Sequence, residues 1–260
     1  MGFFLLIFSL ASLLRAQPAA QEIVRRSIET NNADFQALPK YSHHETDVTT
    51  KAGAARGSKT YKVMMLEGSP YNQLIAINNE PLPPPERARE EKKRSKEAAR
   101  RSRESSPERS KRIARYQQER QHEHLLMNEM ARAFDFKLVG QTQLDGRRVY
   151  VLDATPRPGY RPPNQKARVL TGMKGKLWVD TQQYHWAKVE AQVIHPVNFG
   201  LFIAKVSPGT SFELDQTPIG PNVWLPHHFV EKVNARILGI KPYRTQDEET
   251  YTDYHLESGQ

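Results

Sequence analysis

Between Ala187 and His195 polar and apolar residues alternate: Val189, Ala191 and Val193 fall on one side of an extended chain, and Lys188, Glu190 and Gln192 on the other. Glu231 to Ile237 repeats the pattern, with Val233, Ala235 and Ile237 opposed to Lys232, Asn234 and Arg236. A period of two suits a strand with one dry face and one wet face, and so an antiparallel sheet covered on one side only. Phe136 to Gln143 and Arg148 to Ala154 flank an Asp145-Gly146 turn, the clearest hairpin signal in the chain.

Strand signals recur on both sides of this hairpin. Tyr41 to Lys51, Lys59 to Glu67 and Tyr71 to Asn78 precede it; Lys176 to Asp180 and Trp186 to His195 follow as a second hairpin around Thr181-Gln182-Gln183. Further strands are expected at Phe199 to Val206, Ser211 to Gln216, Val223 to Leu225, Phe229 to Leu238 and Tyr251 to His255. An amphipathic helix at Gln21 to Asn32 comes first, with Ile23, Val24 and Ile28 on one side and the Asn31-Asn32 pair as its stop. Strands do not alternate with helices, which disfavours a doubly wound α/β fold. The expected fold class is α+β: a curved antiparallel sheet, or incomplete barrel, with an N-terminal helix and a basic helical insertion packed on or over it.

That insertion spans 86–134 and begins after Leu82-Pro83-Pro84-Pro85, a stiff break that continues neither strand nor helix. Glu86 to Arg120 alone carries +7 of the chain's formal +9. Its Ala, Glu, Lys and Arg content favours helix, interrupted at Ser105-Ser106-Pro107 with Pro107 in the first turn of a second helix. Leu126, Met127, Met130, Ala133 and Phe134 then supply an apolar face that docks, whereas the first half has none and reads as solvent-exposed or conditionally ordered.

Phe3 to Leu14 is an apolar run too short to span a bilayer, followed by Arg15-Ala16-Gln17-Pro18. It reads as a secretory signal (1–16) cut near Ala16, leaving 17–260 as a single exported domain; an uncleaved N-terminal anchor or a buried helix is the alternative.

The search for chemistry finds no enzyme signature. The chain has no cysteine, which removes disulfides, thiol catalysis and Cys-ligated metal. His43-His44 and His227-His228 are adjacent pairs whose side chains diverge in a strand, and His122 and His124 diverge by about 200° on a helix. Asp145, Asp153, Asp180 and Asp215 read as turn or strand-end residues. No cofactor or metal is expected. Trp178, Trp186, Phe199, Phe202 and Trp224 either fill a core or border a space; composition does not separate the two.

The layout resembles the LolA/LolB/RseB-type periplasmic family, which includes outer-membrane lipoprotein-sorting proteins. The resemblance is carried by Gly140 to Asp153 (GQTQLDGRRVYVLD), Gly175 to Val189 (GKLWVDTQQYHWAKV) and Val223 to Ile237 (VWLPHHFVEKVNARI). It implies an incomplete barrel whose apolar cavity takes lipid or lipoprotein acyl chains, in the periplasm of a Gram-negative-type bacterium. The candidate lining is Leu177, Val179, Val189, Ala191, Val193, Phe202, Trp224, Val233, Ala235 and Ile237. An alternative is an envelope interaction or regulatory module with a filled core. It would contact anionic partners, a membrane surface or cell-wall polymer, through Arg100, Arg101, Arg103, Arg109, Lys111 and Arg112. A third reading, an intracellular RNA-associated protein, follows only if the apolar run is not a signal; aromatic stacking platforms are nearly absent from the basic segment, so nucleic acid is disfavoured.

Overall fold

The computed structural model describes residues 18–51, 53–199, 204–238 and 241–257; the expected signal segment lies outside the described residues. Helix α1 (Ala20–Ala37) leads into β1 (Tyr41–Lys51), β2 (Ala54–Leu66), β3 (Ser69–Ile77) and the short β4 (Glu80–Pro81). Helices α2 (Pro84–Ser102) and α3 (Ser106–Ala133) follow, then β5 (Phe134–Leu144) and β6 (Arg147–Pro156). A 3-10 segment (Lys166–Gly172) precedes β7 (Met173–Asp180), β8 (Trp186–Val193), β9 (Val197–Phe199), β10 (Ala204–Val206), β11 (Ser211–Gly220), β12 (Val223–Ile237) and β13 (Lys241–Leu256).

All these strands join one antiparallel sheet in the order β4-β3-β2-β1-β13-β12-β11-β8-β7-β6-β5, with β10 pairing β12 and β9. The two ends, β4 and β5, do not meet, so the sheet is open and the fold is α+β. Tight turns set the register. Asp145 (φ 48°) and Gly146 (φ 76°) both take the left-handed conformation of a two-residue hairpin turn. Glu67 and Gly68 do the same between β2 and β3, and a Cβ on Gly68 would lie 2.9 Å from Ile113 Cδ1. At its other end, α3 brings Met130, Ala133 and the following Phe134 into the core with Leu170, Met173 and Leu177. Helix α3 thus bridges the two halves of the open sheet, from the β2–β3 turn to β5.

Several elements differ from the sequence expectation. Helix α1 does not stop at Asn31-Asn32: Asn32 Oδ1 meets His124 Nε2 at 2.5 Å, and Asn31 donates to Met127 Sδ at 3.7 Å. With their side chains engaged by α3, the asparagines no longer compete for the backbone, and the helix runs on to Ala37. Pro84 and Pro85 open α2 instead of excluding a helix, because N–H groups in the first turn have no intrahelical partner to lose. The two strands expected around Pro226 are one strand, since Pro226 sits beside a register shift opposite Gln216, where its missing N–H is tolerated. β13 is far longer than Tyr251 to His255. Its polar stretch pairs with β1 on one side and β12 on the other, so partners decide a strand that side chains do not announce.

The interruption of the insertion is as expected: Ser105 and Glu108 form a reciprocal capping box, with Pro107 in the first turn of α3. The first half is helical throughout and docks without an apolar face. Arg101 Nη1 donates to the carbonyls of Leu66 and Ser69, both at 2.9 Å. Arg112 reaches Glu104 at 2.7 Å, Ser69 Oγ at 2.7 Å and the Glu67 carbonyl at 2.9 Å. No helix among the described residues is long and apolar enough to cross a membrane.

Candidate functional site

Cross-strand register divides the helix-covered face of the sheet into two halves. On the β5–β8 side, Leu138, Leu152, Leu177 and Val189 lie opposite one another in turn, and Ala191 faces Phe212. Helix α1 covers this half with Ile23 and Val24, α3 with Met130 and Ala133, and the 3-10 segment with Ala167 and Leu170. Trp186 Nε1 donates to Ser27 Oγ at 3.0 Å, which keeps the indole N–H satisfied beneath α1.

Of the sequence-predicted lining, Leu177, Val179, Val189, Ala191 and Val193 come together here, each at most 8% exposed. The space left among Met130, Phe134, Phe136, Leu170, Leu177 and Phe212 is a cavity of about 20 Å³. Trp224 is buried apart from these five, beside Val149 and Ala187, its ring stacked on His185. Val233, Ala235 and Ile237 lie farther along β12, half-buried, buried and exposed in that order. Phe202 lies outside the described residues. The nine described positions therefore do not share one pocket among the described residues.

The other half of the same face carries a feature that the apolar pattern did not reveal. Asp47 lies opposite Glu249, Glu45 opposite Tyr251, and Glu231 opposite Asp247. Five carboxylates from β1, β12 and β13 thus share one face. Burial, reinforced by Glu45 and Glu249, pushes the Asp47 carboxyl up to about 7, and burial also raises Glu249. The Tyr251 and Tyr254 phenols are raised chiefly by burial. His43, 7% exposed, lies between these tyrosines and 3.8 Å from Glu45, and its Nδ1 has no hydrogen-bond partner among the described residues. The legible signal was the spacing of two in Glu45/Asp47 and Asp247/Glu249, which places each pair on one face of a strand. This half can take up protons near neutral pH and attract cations.

The opposite, uncovered face holds an open groove of about 490 Å³ between Asp153, Lys176, Glu190, Gln192, Glu213 and Lys232. Lys188 there lies among Glu190, Glu213 and Asp215. Asp180 caps its turn through Oδ1, which accepts from the Gln182 and Gln183 amides at 2.9 and 2.7 Å.

The six basic candidates on the insertion divide as well. Arg101 and Arg112 are about nine-tenths buried and bound internally. Arg100 pairs with Glu97 and Glu104, and Arg109 with Glu67, yet both stay substantially exposed. Arg103 and Lys111 are exposed, and with Arg100 and Arg115 they border a shallow groove of about 500 Å³ around Glu104 and Glu108. Among the described residues, no group of three or more His, Asp and Glu is placed to hold a metal ion.

No family model and no curated protein matches this chain. Solved structures similar to it include a LolA superfamily protein from Nitrosomonas europaea, 12% identical, covering 94% of this chain and 96% of that one at a TM-score of 0.34. A DUF1329 family protein from Desulfovibrio piger is 9% identical over 94% and 95% at 0.35. The Mycobacterium tuberculosis lipoprotein LppX is 7% identical over 94% and 99% at 0.30. The LolA-type family that the sequence resembles is thus among its structural neighbours.

Proposed function

We propose that this chain is a non-enzymatic, exported envelope protein that acts as an interaction module with a filled interior. The observation that carries this reading is that only about 20 Å³ is left beside Leu177, Val189 and Ala191, the buried part of the expected lining. Pockets for small ligands run to about 300–1,000 Å³, more than tenfold larger. Leu177, Val189 and Val193 act as core, holding α1 and α3 on the sheet, and the molecule works through its surfaces. The insertion offers Arg100, Arg103, Lys111 and Arg115 to anionic partners, while Arg101 and Arg112 fix it in place. Export to the periplasm rests on the apolar run Phe3 to Leu14 and the small residues after it.

Native mass spectrometry of the protein purified from cells without detergent tests the reading. A mass equal to that of the polypeptide, unchanged after incubation with phospholipid, supports a filled core. A stoichiometric lipid adduct that is lost on Val193→Trp would overturn it in favour of an acyl carrier.

A further inference from the structure

The β12–β13 hairpin ends in a surface that neither the filled core nor the basic insertion explains. Lys51 of β1 pairs with Thr245, so residues 241–244 of β13 run on past the last β1 partner, pairing only with 234–237 of β12. Four residues of strand extend about 13 Å. At this apex three large apolar side chains face solvent: Ile237 is 36% exposed, Leu238 69% and Tyr243 42%.

The charge around the apex is of one sign. The stretches 48–58, 204–212 and 232–246, which meet at this end of the sheet, contain no Asp or Glu. They bring Lys51, Lys205, Lys232, Arg236, Lys241 and Arg244, all exposed, to the same end. Among the described residues none of these six has a carboxylate within ion-pair distance. The acidic residues of β1, β12 and β13 begin only beyond Thr49 and Thr245, toward the middle of the strands. The near-neutral balance outside the insertion therefore hides a cationic pole and an acidic centre.

We propose that this pole docks the protein onto an anionic phospholipid surface, with Leu238, Ile237 and Tyr243 entering the headgroup boundary and Lys205, Arg236, Lys241 and Arg244, the cations nearest the apex, facing lipid phosphates. Charge complementarity selects an anionic partner, and the apolar apex selects a membrane over a soluble polyanion, which offers nothing for exposed Leu and Ile side chains to enter. Tyrosine suits the boundary, with an apolar ring and a polar tip.

The test uses the full chain with Leu238→Trp and vesicles of phosphatidylcholine and phosphatidylglycerol in equal parts, carrying brominated acyl chains. The unsubstituted protein serves as the blank for its own tryptophans. Emission from position 238 should be quenched on these vesicles and not on pure phosphatidylcholine. Adding Lys241→Gln and Arg244→Gln should weaken binding about 25-fold, at about fivefold per cation. The variant Lys137→Glu/Lys166→Glu, at exposed cations of β5 and the 3-10 segment away from both the apex and the insertion, should leave the quenching unchanged. Absence of quenching, equal quenching on neutral vesicles, or equal loss in this control would each overturn the proposal. So would binding to heparin with no quenching on vesicles, which would assign the pole to a soluble polyanion.

Discussion

Asp34 Oδ2 lies 2.6 Å from His185 Nδ1, with the two side chains 2% and 3% exposed. The same carboxylate accepts from the Trp224 amide through Oδ1 at 3.0 Å. One residue of α1 therefore joins the β7–β8 turn to the start of β12, and the His185 ring stacks on Trp224 above it. These bonds, with Trp186 to Ser27, orient α1 over the sheet by polar as well as apolar means.

Asp34→Ala should destabilise the protein by about 3–5 kcal/mol, since it leaves a buried histidine and a buried amide without their acceptor. Urea denaturation measures the loss, and hydrogen exchange at the Trp224 amide should quicken with it. A change under 1 kcal/mol would mean that apolar packing alone seats the helix.

Asp47→Asn should stabilise the protein in a pH-dependent way. Because the folded carboxyl sits at about 7 against an ordinary 3.8, the fold binds a proton there that the unfolded chain releases. Stability tied to this group is present below its unfolded value and lost as pH rises through about 7. After allowance for solvent screening, the variant should gain about 1–2 kcal/mol at pH 8 and nothing at pH 4. Thermal melts across that range decide it; an equal gain at both ends would refute the assignment.

Arg112→Ala should cost about 2–4 kcal/mol, because it takes from Glu104, whose side chain is 7% exposed, its closest cation and removes two bonds to the β2–β3 turn. Arg103→Ala and Lys111→Ala should change stability by less than about 0.5 kcal/mol. Limited proteolysis near Arg103 should report opening of the insertion in the first variant only.

Val193→Trp should lower stability by about 1–3 kcal/mol or more, since the site is 2% exposed and has no room for an indole. A variant as stable as the parent would indicate space beneath the helices and reopen the carrier reading.

The apolar half of the sheet was legible because alternation at Val189, Ala191 and Val193 encodes a dry face wherever the neighbours lie. The Asp145-Gly146 turn was legible because few residue pairs tolerate two successive positive φ angles. The acidic half was not. Glu45 and Glu249 are separated by some two hundred residues, and only the β1–β13 and β12–β13 pairings bring their strands together. The cationic pole was missed for the same reason: Lys51, Lys205 and Arg244 come from three distant stretches.

The sequence by itself determined the antiparallel character, the helix-first order, the break in the insertion at Ser105 and the lack of thiol chemistry, all of which rest on local periodicity, capping and composition. Tertiary structure decided where α1 ends, how far β13 extends toward its N-terminus, and which arginines of the insertion are fastened. It also decided how apolar, acidic and basic surfaces are distributed over one sheet. These depend on hydrogen-bond partners and on pairing between remote segments, and a chain read residue by residue does not carry that information.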